Sequence, residues 1–196
     1  MSAMPKPRKL TVEEYFAIEL KAERKSEFFD GEMFLMAGAS REHNFIVSNL
    51  IDRLPEQLRG SCRVFVSDMR LKVSRTGLYT YPDLLIVCDP PEYAPENRDT
   101  LTNPQVVIEV LSNSTERYDR TTKFRHYKQL PSVMEYVLVS QTEALIERYT
   151  RQANETWAQA DFVGLDTTFT LATVKVSVPM ADIFRGVEFQ PLPDRA

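Results

Sequence analysis

Residues 79–88 and 105–111 are nearly continuous apolar runs, and each carries a single acid, Asp83 and Glu109. Runs of this kind are the pattern of strands buried on both faces of a mixed sheet. A carboxylate inside such a strand is costly unless it is paired, protonated or bound to a cation. Taken alone, Glu109 also fits a strand side turned to solvent or a buried ion pair with an arginine. Asp83 follows Pro82 at the start of its run, where a plain turn acid is equally at home. Taken together, two adjacent strands with one acid each could bring two carboxylates to one cation. That is the geometry of a magnesium site completed by waters and phosphate oxygens.

Other chemistries are excluded by counting. The six glycines stand at 31, 38, 60, 77, 164 and 186, too far apart for a phosphate-cradling loop or a dinucleotide fingerprint. Two histidines, His43 and His126, rule out three-histidine and His-Glu-x-x-His zinc sites. No Gly-x-Ser-x-Gly elbow is present. With 196 residues, 43% hydrophobic and 27% charged, the chain can build one sizeable core, and it carries no membrane-spanning run. A net charge of -4 provides no overall field for nucleic acid, so any phosphate binding must be local. Cys62 and Cys88 read as small core hydrophobes of a reduced, cytoplasmic protein.

The expected organisation is a flexible leader over 1–9, one domain over 10–186 and a polar tail over 187–196. Thr11 and Glu14 have capping-box spacing and open a helix. Asp30-Gly31 predicts a hairpin within 26–36. Ser40 caps a second helix whose apolar positions are Phe45, Ile46, Leu50, Ile51 and Leu54. Strands follow over 63–73, 79–88 and 105–111, with a turn-rich loop at 89–103. A third helix, capped by Ser114 or Thr115, runs to about residue 130. A meander over 134–140, 144–150 and 156–163 and an apolar stretch over 174–184 complete an α+β chain with an α/β-like core, a mixed sheet flanked by helices.

On the third helix, at about 100° per residue, Lys123 and Arg120 fall on the side of Phe124, Tyr127 and Leu130. A lysine there can simply lay its stem on the core and snorkel. Beside two acids, it could instead hold an attacking water and offset charge on a phosphate, with Arg120 on a neighbouring oxygen. His126 lies off this stripe. The interleaved bases and aromatics at 117–118, 124–125 and 127–128 read as a solvated helix face.

Tyr81-Pro82-Asp83, Val107-Ile108-Glu109-Val110-Leu111-Ser112 and Asp119-Arg120-x-x-Lys123 with Tyr127 together resemble the Uma-two family of bacterial endonucleases. That family belongs to the restriction-endonuclease-like PD-(D/E)xK superfamily. The likeness extends from Leu10-Thr11-x-x-Glu14-Tyr15 through Glu27-x-x-Asp30-Gly31-Glu32 to 134–139. It implies a restriction-endonuclease-like mixed sheet and a nuclease using magnesium or manganese on DNA. Asp83, Glu109 and the Val110 backbone carbonyl would hold the metal, and Lys123 would assist the water. Glu27 matches an N-terminal acid that would serve as a further ligand or base, against the reading of an ordinary hairpin acid. His43 matches a recurrent position, although a helix-end or surface histidine is the plainer reading. The superfamily places its lysine two residues after the glutamate, where this chain has Leu111, so Lys123 must substitute. A rival reading is a nuclease fold that binds DNA or a protein partner without cutting. No membrane partner is expected. A homodimer through the 134–163 meander is an expectation for an enzyme that cuts both strands.

Overall fold

The computed structural model describes residues 8–58, 60 and 62–189. Residues 1–7 of the expected leader and 190–196 of the tail lie outside that range. Helix α1 (Val12–Glu19) opens with the capping box: Glu14 N–H donates to Thr11 Oγ1 at 3.2 Å and Thr11 N–H to Glu14 Oε2 at 2.9 Å. Strands β1 (Ser26–Phe29) and β2 (Glu32–Leu35) form the hairpin. Its turn residues, Asp30 and Gly31, have φ of 50° and 80°, as a two-residue turn of this hand requires. Helix α2 (Arg41–Gln57) starts where Ser40 Oγ accepts the His43 N–H at 3.0 Å.

Each of the next two runs, expected as a single strand, is broken in two. The first gives β3 (Arg63–Val66) and β4 (Arg70–Val73), with Met69 N–H closing the turn onto the Val66 carbonyl at 2.8 Å. The second gives β5 (Leu78–Thr80) and β6 (Leu84–Val87), parted at Tyr81-Pro82-Asp83. Pro82 has no N–H for a ladder, so the chain leaves one sheet there and enters another. The loop expected at 89–103 holds a short antiparallel pair, β7 (Tyr93–Ala94) and β8 (Asn97–Leu101).

Strand β9 (Val106–Val110) is buried throughout. The third helix consists of α3 (Glu116–Tyr118), a π-helical turn (Asp119–Lys123) and α4 (Phe124–Tyr127). The meander is β10 (Glu135–Val139), β11 (Leu145–Arg151) and β12 (Trp157–Val163). A hairpin of β13 (Thr168–Leu171) and β14 (Val176–Pro179) leads into α5 (Met180–Ile183).

The fold is α+β, with mixed sheets flanked by helices. One six-stranded sheet has the order β2-β1-β5-β4-β8-β7 and the other β12-β11-β10-β9-β6-β3. In the second, β9 runs parallel to β10 and antiparallel to β6. Residues of β6 and β9 alternate between two cores. Leu84, Ile86, Val106, Ile108 and Val110 meet α2, β13, β14 and α5. On the opposite face, Leu85, Val87 and Val107 meet the first sheet and Phe124, Tyr127 and Leu130 of the third helix. Among the described residues, no helix is long and apolar enough to cross a membrane.

The cysteines differ from the expected reduced pair, because Cys62 and Cys88 are joined in a disulfide. The register explains it: Arg63 pairs with Val87 in the β3–β6 ladder, so the residues one step outward face each other.

Not every buried acid belongs to a site. Glu135, fully buried at the start of β10, accepts the Ala172 N–H at 3.1 Å and the Thr173 N–H at 3.0 Å, and lies 3.4 Å from Arg148 Nε. It fastens the β13–β14 turn to the sheet. Glu135→Ala would strand the Arg148 charge and two backbone donors, and should cost about 3–5 kcal/mol in urea unfolding. A loss below about 1 kcal/mol would mean that the apolar face of the hairpin holds it alone.

Candidate active site

The site forms where the two sheets and the third helix meet. In the β6–β9 ladder Leu84 pairs with Ile108, so Asp83, one residue before Leu84, comes opposite Glu109. Directly opposed residues of an antiparallel pair point to the same face, which puts both carboxylates on one side of the sheet. Asp83 Oδ2 accepts the Val110 N–H at 2.7 Å, fixing the acid to the end of β9. Its other oxygen, Oδ1, lies 3.2 Å from His43 Nε2 on α2.

Lys123 reaches this face from the π-helical turn. Its Nζ lies 3.1 Å from Glu109 Oε1, 3.2 Å from Glu27 Oε1 and 3.1 Å from Asp119 Oδ1. All four side chains are buried. Tyr127 O–H donates to Glu109 Oε1 at 2.7 Å, and Thr80 Oγ1 donates to Glu27 Oε1. Leu111, which stands where the superfamily has its lysine, is buried in the apolar core, and the ammonium comes from the helix instead. A π-helical turn is a recurrent device at functional sites, because it re-aims a side chain against its neighbours.

Three carboxylates around one ammonium leave negative charge in excess. Burial pushes the Lys123 ammonium towards deprotonation, yet the Glu109, Glu27 and Asp119 charges outweigh burial and hold its pKa well above the ordinary value. Burial raises the Glu109 carboxyl; Lys123 opposes the rise, the Asp119 and Asp83 charges reinforce it, and the pKa is pushed up to about 8. Asp119 is raised by the same burial. Burial lowers His43, but its partner Asp83 and a backbone hydrogen bond to Val110 more than offset this, so the imidazole is held above its usual range.

An open cavity of about 850 Å³ reaches this cluster and is lined by Asp83, Glu109, Val110, Glu27, His43 and Lys123, among others. Among the described residues no group of three or more His, Cys, Asp or Glu side chains forms a ready-made metal cage. The Asp83 and Glu109 carboxylates and the Val110 carbonyl are hard oxygen donors. Such a set fits magnesium, which keeps most of its shell as water and phosphate oxygen. The gathering of three carboxylates about the single Lys123 ammonium is the second feature that fits a cation here.

Of the residues singled out from sequence, Asp83, Glu109, Lys123, Glu27, Tyr127 and His43 come together. His43 is the helix-end histidine of the plainer reading, in the first turn of α2, but it is half-buried against Asp83 rather than on the surface. Arg120 does not join them. It is ion-paired with Glu116 and Glu147 and is not among the residues lining the cavity. His126 bonds Thr76 Oγ1 through Nδ1 at 2.8 Å, likewise outside the cavity lining. Sequence reasoning missed Asp119 as a partner of Lys123, although their i,i+4 spacing on one helix was a usable signal. Tyr118, read as part of a solvated face, lines the cavity.

The chain matches the Uma2 family model, described as "Putative restriction endonuclease", over residues 12–181. The uncharacterized protein sll1609 of Synechocystis sp. strain PCC 6803 is 33% identical over 168 residues, covering 85% of this chain and 95% of that protein. A second uncharacterized protein of the same organism, slr1290, is 35% identical over 182 residues, 92% and 94% of the two chains. The crystal structure of "a putative nuclease belonging to DUF820" from Anabaena variabilis aligns with a TM-score of 0.72, covering 91% of this chain and 98% of that one. At 17% identity, that likeness speaks for the fold alone.

With Glu109 raised, the native protein keeps a proton that the unfolded chain has already released. The resulting stability is present below the ordinary carboxylate pKa and is lost as pH rises towards about 8. His43, also raised, contributes in the same direction from its unfolded pKa upward. Chelator-treated protein should therefore melt at a lower temperature at pH 8.5 than at pH 5.5, roughly the span of the two titrations. Glu109→Gln should flatten the decline and leave Lys123 two acidic partners. Lys123→Met should instead cost about 3–5 kcal/mol, because it strands buried carboxylates. A wild-type Tm that climbs with pH would contradict this charge balance.

Proposed function

This chain belongs to the Uma2 family, and on that footing we propose that it is a divalent-metal-dependent endonuclease that hydrolyses phosphodiester bonds in DNA. The observation carrying the proposal is the pair of Glu109 on β9 and Asp83 at the entry to the adjoining β6, with Lys123 Nζ 3.1 Å from Glu109, on one open cavity. Magnesium or manganese held by Asp83, Glu109 and the Val110 carbonyl would neutralise phosphate charge and lower the pKa of a water.

The chain's own residues do the rest by position. The Val110 N–H holds Asp83, and the Tyr127 hydroxyl holds Glu109, each in one orientation. The Lys123 ammonium, kept charged by its acidic neighbours, orients a water and faces charge developing on the phosphate. That role requires one of its three carboxylate partners to yield, and Glu109 is the partner shared with the proposed cation ligands. Glu27 and Asp119 then keep the ammonium in place. His43 braces Asp83 from the opposite side. For cutting both strands, the outer edge of β12 is the expected pairing edge for a second copy.

The closed appearance of the Lys123 cluster favours a second reading, a nuclease-fold module that binds nucleic acid without cutting. Incubation with supercoiled plasmid and with single-stranded circular DNA separates the two. Wild type should cut at least one of them in magnesium or manganese and neither in chelator. Asp83→Asn keeps an oxygen for the Val110 N–H but loses the charge, so cutting should fall at least about a hundredfold with Tm nearly unchanged. Absence of cutting with either metal would leave the binding module.

A further inference from the structure

We propose that the strand enters this cavity unpaired, with a base packed on Phe34, so that the substrate class is single-stranded or locally opened nucleic acid; this deepens the nuclease reading and rests on it. The reacting groups are recessed: Glu109 is 4% exposed and Lys123 6%. Phosphates of an intact duplex lie on its outside with their bases stacked away from the protein. A single strand, whose backbone bends freely, brings a phosphate down to such a recessed floor more readily than a stiff duplex does.

The wall beside the floor is built for a base. Phe34 lies on β2, the edge strand of its sheet, and pairs directly with Glu27, the acid that touches Lys123. The pairing puts Phe34 on the same face as the charge cluster. It is 46% exposed and its neighbour Leu35 57%, and with Phe29, Met36 and Ala37 they form an apolar side to the cavity. An aromatic face on an open edge strand beside phosphate-handling charges is the arrangement that single-strand binders use, since every base has a π-face to stack.

The charge distribution points the same way. Duplex binders neutralise several phosphates on both backbones with lysine and arginine. Here Arg24, Lys25 and Lys123 face Glu23, Glu27, Asp83, Glu109 and Asp119 around the cavity, and Lys25 is already held by Asp68 and the Ser67 carbonyl. A second backbone would meet acids without matching cations. One strand needs few phosphate contacts, and Arg24 on the rim offers one.

The test uses the full chain in calcium, with a fluorescein-labelled oligothymidylate and a hairpin-closed duplex as anisotropy probes, and magnesium cleavage of both in parallel. The oligothymidylate should bind more tightly than the duplex. Phe34→Ser should weaken it roughly fivefold to a hundredfold, while Phe34→Tyr retains it. Phe34 is half-exposed on an edge strand and belongs to none of the three buried apolar clusters, so its replacement leaves them intact. Duplex binding equal to or tighter than oligothymidylate binding, or indifference to Phe34→Ser, overturns the inference. If duplex cleavage persists in that case, the nuclease reading stands without it. Phe34-dependent oligothymidylate binding with no cleavage in magnesium or manganese upholds the pocket and overturns the nuclease reading.

Discussion

The buried ammonium of Lys123 is the interaction on which the rest of the site depends. Its three carboxylate partners come from β1, from β9 and from its own helix, so a single charge joins the two sheets to the third helix. Burying one cation with one anion is roughly neutral for stability. Burying one cation with three anions is not, unless a proton or a further cation corrects the sum. The raised Glu109 and Asp119 carboxyls are the protein's response when only protons are at hand.

The other buried acids make the contrast clear. Glu135 is matched by Arg148 and two backbone donors, and Glu147 by Arg120. Those acids fasten a hairpin turn and the third helix to the sheet. At the meeting of β1, β6, β9 and the π-helical turn, three buried acids share one lysine, and a large open cavity reaches them. A surplus of carboxylate at a recessed, solvent-connected point is what separates a candidate site from ordinary structural ion pairs.

The same junction explains why the strands break where they do. Pro82 ends the ladder of one sheet and releases the chain to start β6 in the other. Asp83 is therefore the last residue before the new sheet, at the seam, with its oxygen fastened to β9 before the strand proper begins. Had residues 79–88 formed one strand, as their apolar run suggested, a single ladder would have run past the seam where the two sheets now meet. On the other side of the seam, the β1–β2 register brings Glu27 and Phe34 to one face, so acid and aromatic border the cavity together.

Much of this was determined by the sequence alone. The capping box at Thr11 and Glu14, the hairpin at Asp30-Gly31 and the all-buried β9 follow from local rules, because spacing, turn chemistry and apolar periodicity act over a few residues. The inward aim of Lys123 was legible for the same reason. The allocation of strands to sheets was not, nor was the facing of Cys62 by Cys88, the diversion of Arg120 to Glu147 or the pairing of His43 with Asp83. Each of these depends on which distant segment lies alongside, and residues far apart in the chain carry no local signal of their separation in space. The sequence determined which residues have charge to bury. Tertiary structure alone decided which charges share a partner, because electrostatic energy follows distance through the fold and not along the chain.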